Sequence, residues 1–158
     1  MRFAPFLFAI GLAICVPAWA GTVQGQASVI DGDTLDIDGT RIRLHGIDAP
    51  ERHQRCGISE EEWACGRASA NALASRIGRR WVTCKELGRD RYRRIIASCM
   101  VDGIDIESWM ARNGWALAYR RYSMDYVTDE DDARRSGQGL WAGPFMAPWD
   151  WRQARRAR

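Results

Sequence analysis

An Asp38-Gly39 pair between two short alternating runs commits the early part of this chain to a β-hairpin. Before the turn, residues 34–38 put Leu35 and Ile37 on one side and Asp36 and Asp38 on the other. After it, residues 41–47 run as a strand towards Ala49-Pro50, where proline ends the ladder. Strand parity has a consequence for Asp33, which falls on the side of Leu35 and Ile37. A carboxylate on an apolar face is expensive unless a cation meets it. The hairpin therefore predicts a strand pair and, at its entrance, a buried acid in need of a positive partner.

The flanking segments extend this pattern. Residues 22–30 read as a preceding strand, with Val23, Ala27 and Val29 on one side. Ser59 followed by Glu62 is a capping-box pattern, which predicts a helix over 59–77 with Ala70, Leu73 and Ile77 in its buried stripe and Gly78 as its stop. Two further strands are predicted over 80–86 and 92–101, then a turn at Asp102-Gly103. A short helix over 105–112 ends at Asn113-Gly114, and a third over 126–136 ends at Gly137. Five short strands and three helices place the chain in the α+β class, mainly β, as a five-stranded Greek-key barrel of the OB type. Residues 144–158 form a Trp- and Arg-rich tail in which Trp149 and Trp151 are expected to pack on the barrel.

The N-terminus stands apart from this pattern. Met1-Arg2 supplies a positive start, residues 3–16 are almost wholly apolar, and Ala18-Trp19-Ala20 is a small-x-small cleavage signal before Gly21. Residues 1–20 read as a secretory signal peptide, which places the protein in the periplasm or outside the cell, free of the membrane once cleaved. What remains, 21–158, holds one domain with a real core but not two; the domain is assigned to 21–143 and the tail to 144–158. Of five cysteines, Cys15 lies in the leader, and Cys56, Cys65, Cys84 and Cys99 stay with the mature chain. An even number in an exported chain favours disulfides, with 3 connectivities open. We favour Cys56–Cys65, which closes a short loop, and Cys84–Cys99, which ties two sequential strands. No C-x-x-C pair supports a zinc site, and His45 and His53 are poorly placed to complete one.

Net charge is too weak to name a partner: 23 basic residues face 20 acidic ones, for a formal +3. Its distribution is more informative. Every cation but Lys85 is arginine, clustered at Arg79-Arg80, 89–94, Arg120-Arg121, Arg134-Arg135 and 152–158. The planar arginine fork suits phosphate.

Asp33 at a strand start and Asp48 at a strand end can converge across the hairpin, and the Ala49 carbonyl adds a further oxygen. Calcium takes several such oxygens in a flexible shell. An EF-hand is excluded, because Leu35 and Asp36 stand where that loop needs a ligand and a glycine. Glu51 lies just beyond, placed to orient a water or accept its proton. Arg43 and Arg94 supply donors for charge that builds on a phosphorane. Together these residues make the inventory for hydrolysing a phosphodiester.

Three segments carry a more specific signal: Ile30-Asp31-Gly32-Asp33-Thr34, Arg43-Leu44-His45-Gly46-Ile47-Asp48-Ala49-Pro50-Glu51, and Asp90-Arg91-Tyr92-Arg93-Arg94. Their order and spacing resemble the staphylococcal nuclease (thermonuclease) family, and the likeness covers most of 22–141. The resemblance implies an OB-type barrel with helices and calcium-dependent cleavage of DNA and RNA to 3′-phosphorylated ends. It implies metal ligands at Asp33, Asp48 and the Ala49 carbonyl, a catalytic carboxylate at Glu51, phosphate-binding Arg43 and Arg94, and a nucleotide pocket lined by Tyr92 and Tyr119. DNA and RNA would be its substrates, with no stable protein partner and a monomer sufficing. Three departures stand out: Ala49 replaces a threonine, Arg93 replaces a glycine, and the four cysteines are additional. At Arg93 a turn of positive φ would be strained, whereas an extended strand would not. The alternative is a non-catalytic secreted nucleic-acid-binding OB barrel. Against it stands the carboxylate set, since surplus negative charge in a phosphate groove opposes binding unless a cation sits there.

Overall fold

The hairpin is present, and its turn shows why Asp38-Gly39 was the signal: both residues have positive φ, 50° and 80°. The computed structural model describes residues 21–157, so the signal peptide expected over 1–20 lies outside the described residues. Strand β1 (Thr22–Asp31) pairs antiparallel with β2 (Thr34–Ile37), and β2 with β3 (Thr40–Leu44). Downstream come β4 (Ile47–Asp48), α1 (Cys65–Ile77), β5 (Trp81–Arg89), β6 (Ile95–Val101), β7 (Ile104–Asp105), α2 (Ile106–Arg112), β8 (Leu117–Ala118), α3 (Val127–Ser136) and α4 (Pro148–Arg156).

Closure of the barrel is what assembles the site. Strand β5 pairs with β1, β6 with β5, and β6 then pairs in parallel with β3, setting Ile42 opposite Ile95, Arg43 opposite Ile96 and Leu44 opposite Ala97. The five strands β1, β2, β3, β5 and β6 thus form the closed barrel expected from the sequence. Strand β4 leaves it to pair with β8, Asp48 opposite Leu117. Leu35, Ile42, Val82, Ala97 and Cys99 fill the interior at 0% exposure, joined by Leu73 and Ile77 of α1 and Ile106 and Met110 of α2. Each large apolar side chain of this set contributes roughly 1.5–3 kcal/mol through removal from water. Among the described residues no helix is long and apolar enough to cross a membrane.

Both favoured disulfides are present. Cys84 and Cys99 sit directly opposite each other on β5 and β6, and Cys56 joins Cys65. The second of these corrects a boundary. The helix predicted from Ser59 begins at Cys65, and Ser59–Glu61 is a single 3₁₀ turn. Residues between the two cysteines are held as a loop, because Cys56 and Trp63 exchange backbone hydrogen bonds at 3.0 and 2.8 Å. The capping box is overridden by that covalent loop. Strand β6 likewise starts at Ile95 rather than 92, because Asp90 and Arg94 close a tight turn with Asp90 N–H donating to Arg94 O at 3.0 Å.

The helix count is also corrected, to four α-helices among the described residues instead of three. The addition is α4, in the tail read only as packing. Pro148 stands in its first turn, where a proline lacks only an N–H that has no intrahelical partner.

Helix α2 carries an unusual core residue. Glu107 is fully buried, and its two carboxylate oxygens accept from the Cys99 N–H at 3.1 and 3.2 Å. Burial, reinforced by the charge of Asp105, pushes its carboxyl well above the usual 4.5. The folded chain therefore keeps a proton that the unfolded chain releases above about 4.5. The resulting stability is complete below that pH and is lost as pH rises towards the folded value. Thermal melts from pH 4.5 to 8 are expected to show a flatter curve for Glu107→Gln than for wild type. Parallel curves would reject the assignment.

Candidate active site

Asp33 sits at the mouth of β2 and is 7% exposed, on the barrel side as strand parity required. Its Oδ1 accepts from the Thr34 hydroxyl at 3.1 Å and its Oδ2 from the Ala49 amide at 2.8 Å. Arg43, expected from the sequence to hold phosphate, meets this acid: its Nη1 lies 3.1 Å from Asp33 Oδ2. The same guanidinium reaches across the hairpin to Asp48, fully buried, with Nη2 donating to Oδ1 at 2.9 Å. Arg43 Nη1 also donates to the carbonyls of Leu44 and Ile47 at 3.1 and 3.0 Å, so it holds the β3–β4 turn as well as the acids.

Arg94 approaches from the barrel's closing seam. Its Nε donates to Asp90 at 2.7 Å, and its Nη1 reaches the Thr34 hydroxyl at 3.4 Å. Burial pushes the Asp90 carboxyl up, but hydrogen bonds from the Arg94 side chain and from the Arg94 and Tyr92 amides outweigh it and hold the group below its usual range. The backbone turn that presents Arg94 puts Arg93 at φ 67°, the strained outcome of the two that the sequence left open. A side chain there costs about 1–2 kcal/mol relative to the right-handed region.

A residue that sequence reasoning missed completes the group. Arg152 of α4 donates from Nη2 to Asp48 Oδ2 at 2.7 Å, and from Nη1 to Asp48 Oδ1 at 3.1 Å and Glu51 Oε1 at 2.8 Å. A continuous run of contacts now links Arg94, Thr34, Asp33, Arg43, Asp48, Arg152 and Glu51. Gln54, also missed and fully buried, fixes the approach of Glu51. Its Oε1 accepts from the Glu51 amide at 3.2 Å, and its Nε2 donates to the Met146 carbonyl of the tail at 2.7 Å. Helix α1 presses on the same segment through Gly66, where a Cβ would meet the Glu51 carbonyl oxygen at 1.8 Å. Only glycine admits that approach.

The two tyrosines are placed differently. Tyr92 is 62% exposed, its ring 5.7 Å from the Arg94 guanidinium, available to a planar ligand. Tyr119 is covered on one face by Trp149 of α4, stacked at 5.6 Å and 7°. A groove of about 400 Å³ runs beside that stack, lined by Tyr119, Arg120, Arg121, Trp149 and Gln153. Trp149 packs as expected of it. Trp151, partly buried, carries the Arg155 guanidinium over its ring at 4.8 Å.

Crowded acids show their cost in proton affinity. Burial, then the neighbouring charge of Asp33, pushes Asp31 up to about 7. Burial also raises Asp48, against the hydrogen bonds from Arg152, with Asp33 adding to the rise and Arg43 opposing it. The buried carboxylate oxygens of Asp33 and Asp48, within the span of one guanidinium, suit a hard divalent cation. The donor set therefore fits a cation, although among the described residues no three His, Cys, Asp or Glu side chains form a ready-made cage.

Comparison with known proteins bears on what such a site does. A family profile described as "Staphylococcal nuclease homologue" matches residues 41–143. An uncharacterized endonuclease of Escherichia coli is 34% identical over 146 residues, covering 86% of this chain and 89% of that protein. The micrococcal nuclease of Shigella flexneri is 34% identical over 164 residues, 92% of this chain and 89% of its own. The succinoglycan biosynthesis protein ExoI of Rhizobium meliloti (strain 1021) is 38% identical over 127 residues, 77% of this chain, and the match spans 66% of that longer protein.

Proposed function

The chain belongs to the staphylococcal nuclease family, and from that membership we propose an exported, Ca²⁺-dependent nuclease that hydrolyses DNA and RNA with little sequence preference to 3′-phosphate ends. Nuclease chemistry comes with the family; the choice of metal, the substrates and the residue roles are our assignments. The observation that supports them is the unbroken run of contacts from Arg94 to Glu51, which gathers carboxylates and arginines from four separate parts of the chain.

Asp33, Asp48 and the Ala49 carbonyl would hold the cation, which supplies a Lewis acid for a phosphoryl oxygen and offsets carboxylate charge that would repel the substrate. Glu51, its side chain 36% exposed, is open to water and accepts a proton from the attacking molecule at its carboxylate. Arg94, and Arg43 once the cation takes over its carboxylate partners, would donate to the non-bridging phosphate oxygens, whose charge grows in the transition state. In-line attack expels the 5′-oxygen and leaves phosphate on the 3′ side. Tyr92 offers an exposed ring to a base, and stacking of that kind tolerates any base. Phosphate contacts and stacking give affinity without sequence readout. Export is assigned from the leader over 1–20 and accords with the two disulfides.

The test is incubation of the oxidised, leader-free protein with single-stranded DNA in CaCl₂, MgCl₂ or EDTA. Fragmentation is expected in calcium, with new ends that a polymerase extends only after phosphatase treatment. Intact DNA in all three conditions, from folded protein, overturns the proposal in favour of a binding-only barrel.

A further inference from the structure

Helix α4 brings a third arginine to the carboxylates, and the reaction assigned above leaves it without a task. That arginine is not the sole anchor of the tail. Trp149 stacks on Tyr119, the Met146 carbonyl accepts from Gln54, and the Pro144 carbonyl accepts from the Gly57 amide at 2.9 Å. So anchored, α4 presents Arg152 to two acids at once, while Arg155 on the next turn lies on the Trp151 ring. Arg152 Nη1 is shared between Asp48 Oδ1 and Glu51 Oε1, and Nη2 is committed to Asp48 Oδ2. Glu51 needs such a grip: its carboxylate is more than a third exposed, and a side chain in that setting is otherwise free to rotate.

We propose that Arg152 is a positioning residue for phosphodiester cleavage, orienting the Glu51 carboxylate for the water while sharing Asp48 with the cation. The inference rests on the nuclease reading. It makes two predictions of opposite sign. As a clamp on Glu51, Arg152 raises turnover. As a positive charge against Asp48, it weakens binding of a second positive charge.

Both effects are read from Arg152→Gln. Titration calorimetry with CaCl₂ at pH 8, without nucleic acid, is expected to show about tenfold tighter binding. Turnover on single-stranded DNA at saturating calcium is expected to fall about 10–100-fold in kcat, the loss typical when the partner of an active-site ligand is removed, with KM little changed. Arg152→Lys keeps the charge but not the two-pronged reach, so its calcium affinity should stay near wild type while kcat recovers only in part. Arg155→Gln should alter neither quantity. Circular dichroism checks folding, and should the Gln variant not fold, the Lys variant carries the test through its separation of kcat from calcium affinity.

Unchanged kcat and calcium affinity in both Arg152 variants overturns the inference. Weaker calcium binding together with lower kcat and a lower Tm makes Arg152 merely structural, and a rise in kcat makes it an obstruction; either result also overturns it. Wild-type protein that binds calcium without cleaving, or does neither, marks failure of the nuclease reading instead.

Discussion

Replacing Glu51 by glutamine is expected to lower kcat by about 10²–10⁴-fold, the range that a positioned general base contributes. The substitution is nearly isosteric and keeps the contact most at risk. Arg152 Nη1 lies 2.8 Å from Glu51 Oε1, and the amide oxygen of the introduced glutamine can accept from it in the same place. The Glu51 amide stays with Gln54, and the Gly66 approach is to backbone. Tm should therefore remain near the wild-type value. Calcium binding should also survive, since Asp33 and Asp48 are untouched. What disappears is the ability to accept a proton. A folded, calcium-binding variant with wild-type turnover would remove Glu51 from the role assigned here and leave positioning by the arginines as the main source of rate.

The half of this site contributed by the hairpin was legible because it is local. Period-two alternation fixed which side of β2 carries Asp33, the Asp38-Gly39 turn fixed its register with β3, and the two together demanded a cation beside it; that the Arg43 guanidinium reaches that acid was not read from the sequence. Arg94 was legible only through its motif, because its arrival depends on the parallel β3–β6 pairing that closes the barrel, which no local pattern encodes. Arg152 was not legible at all. It sits 104 residues from Asp48, in a tail whose many arginines look alike until one is turned inward by α4. Gln54 was hidden for a similar reason, as a polar residue in a loop that packing makes fully buried. The capping box at Ser59 shows the converse, a sound local signal defeated by a covalent constraint. Arg93 shows a third case: the sequence marked a departure, and the turn that presents Arg94 accepts positive φ instead of relaxing into a strand.

Loss of the Cys84–Cys99 bridge is the perturbation expected to reduce stability most. The Cys84→Ala/Cys99→Ala pair removes a cross-link across 15 residues, worth about 3 kcal/mol in the chain-entropy picture, and native bridges in small secreted domains typically cost about 2–5 kcal/mol to remove. For a domain of this size that corresponds to a fall in Tm on the order of 10 °C. Both cysteines are fully buried in the barrel core, so the vacated volume adds to the entropic loss. The position matters too, because β6 pairs with β5, β3 and β7, and β6 closes the barrel. Cys56–Cys65 spans a separation of only 9, and its loss should lower Tm less. That loop nevertheless flanks Gln54 and holds the tail through Gly57, so its removal should show more in kcat than in Tm. Melting curves and turnover at 25 °C, measured on both double variants, separate the two roles. Equal Tm losses would mean that loop length and core position do not govern the effect, and four titratable thiols in the exported protein would remove the bridges from the account altogether.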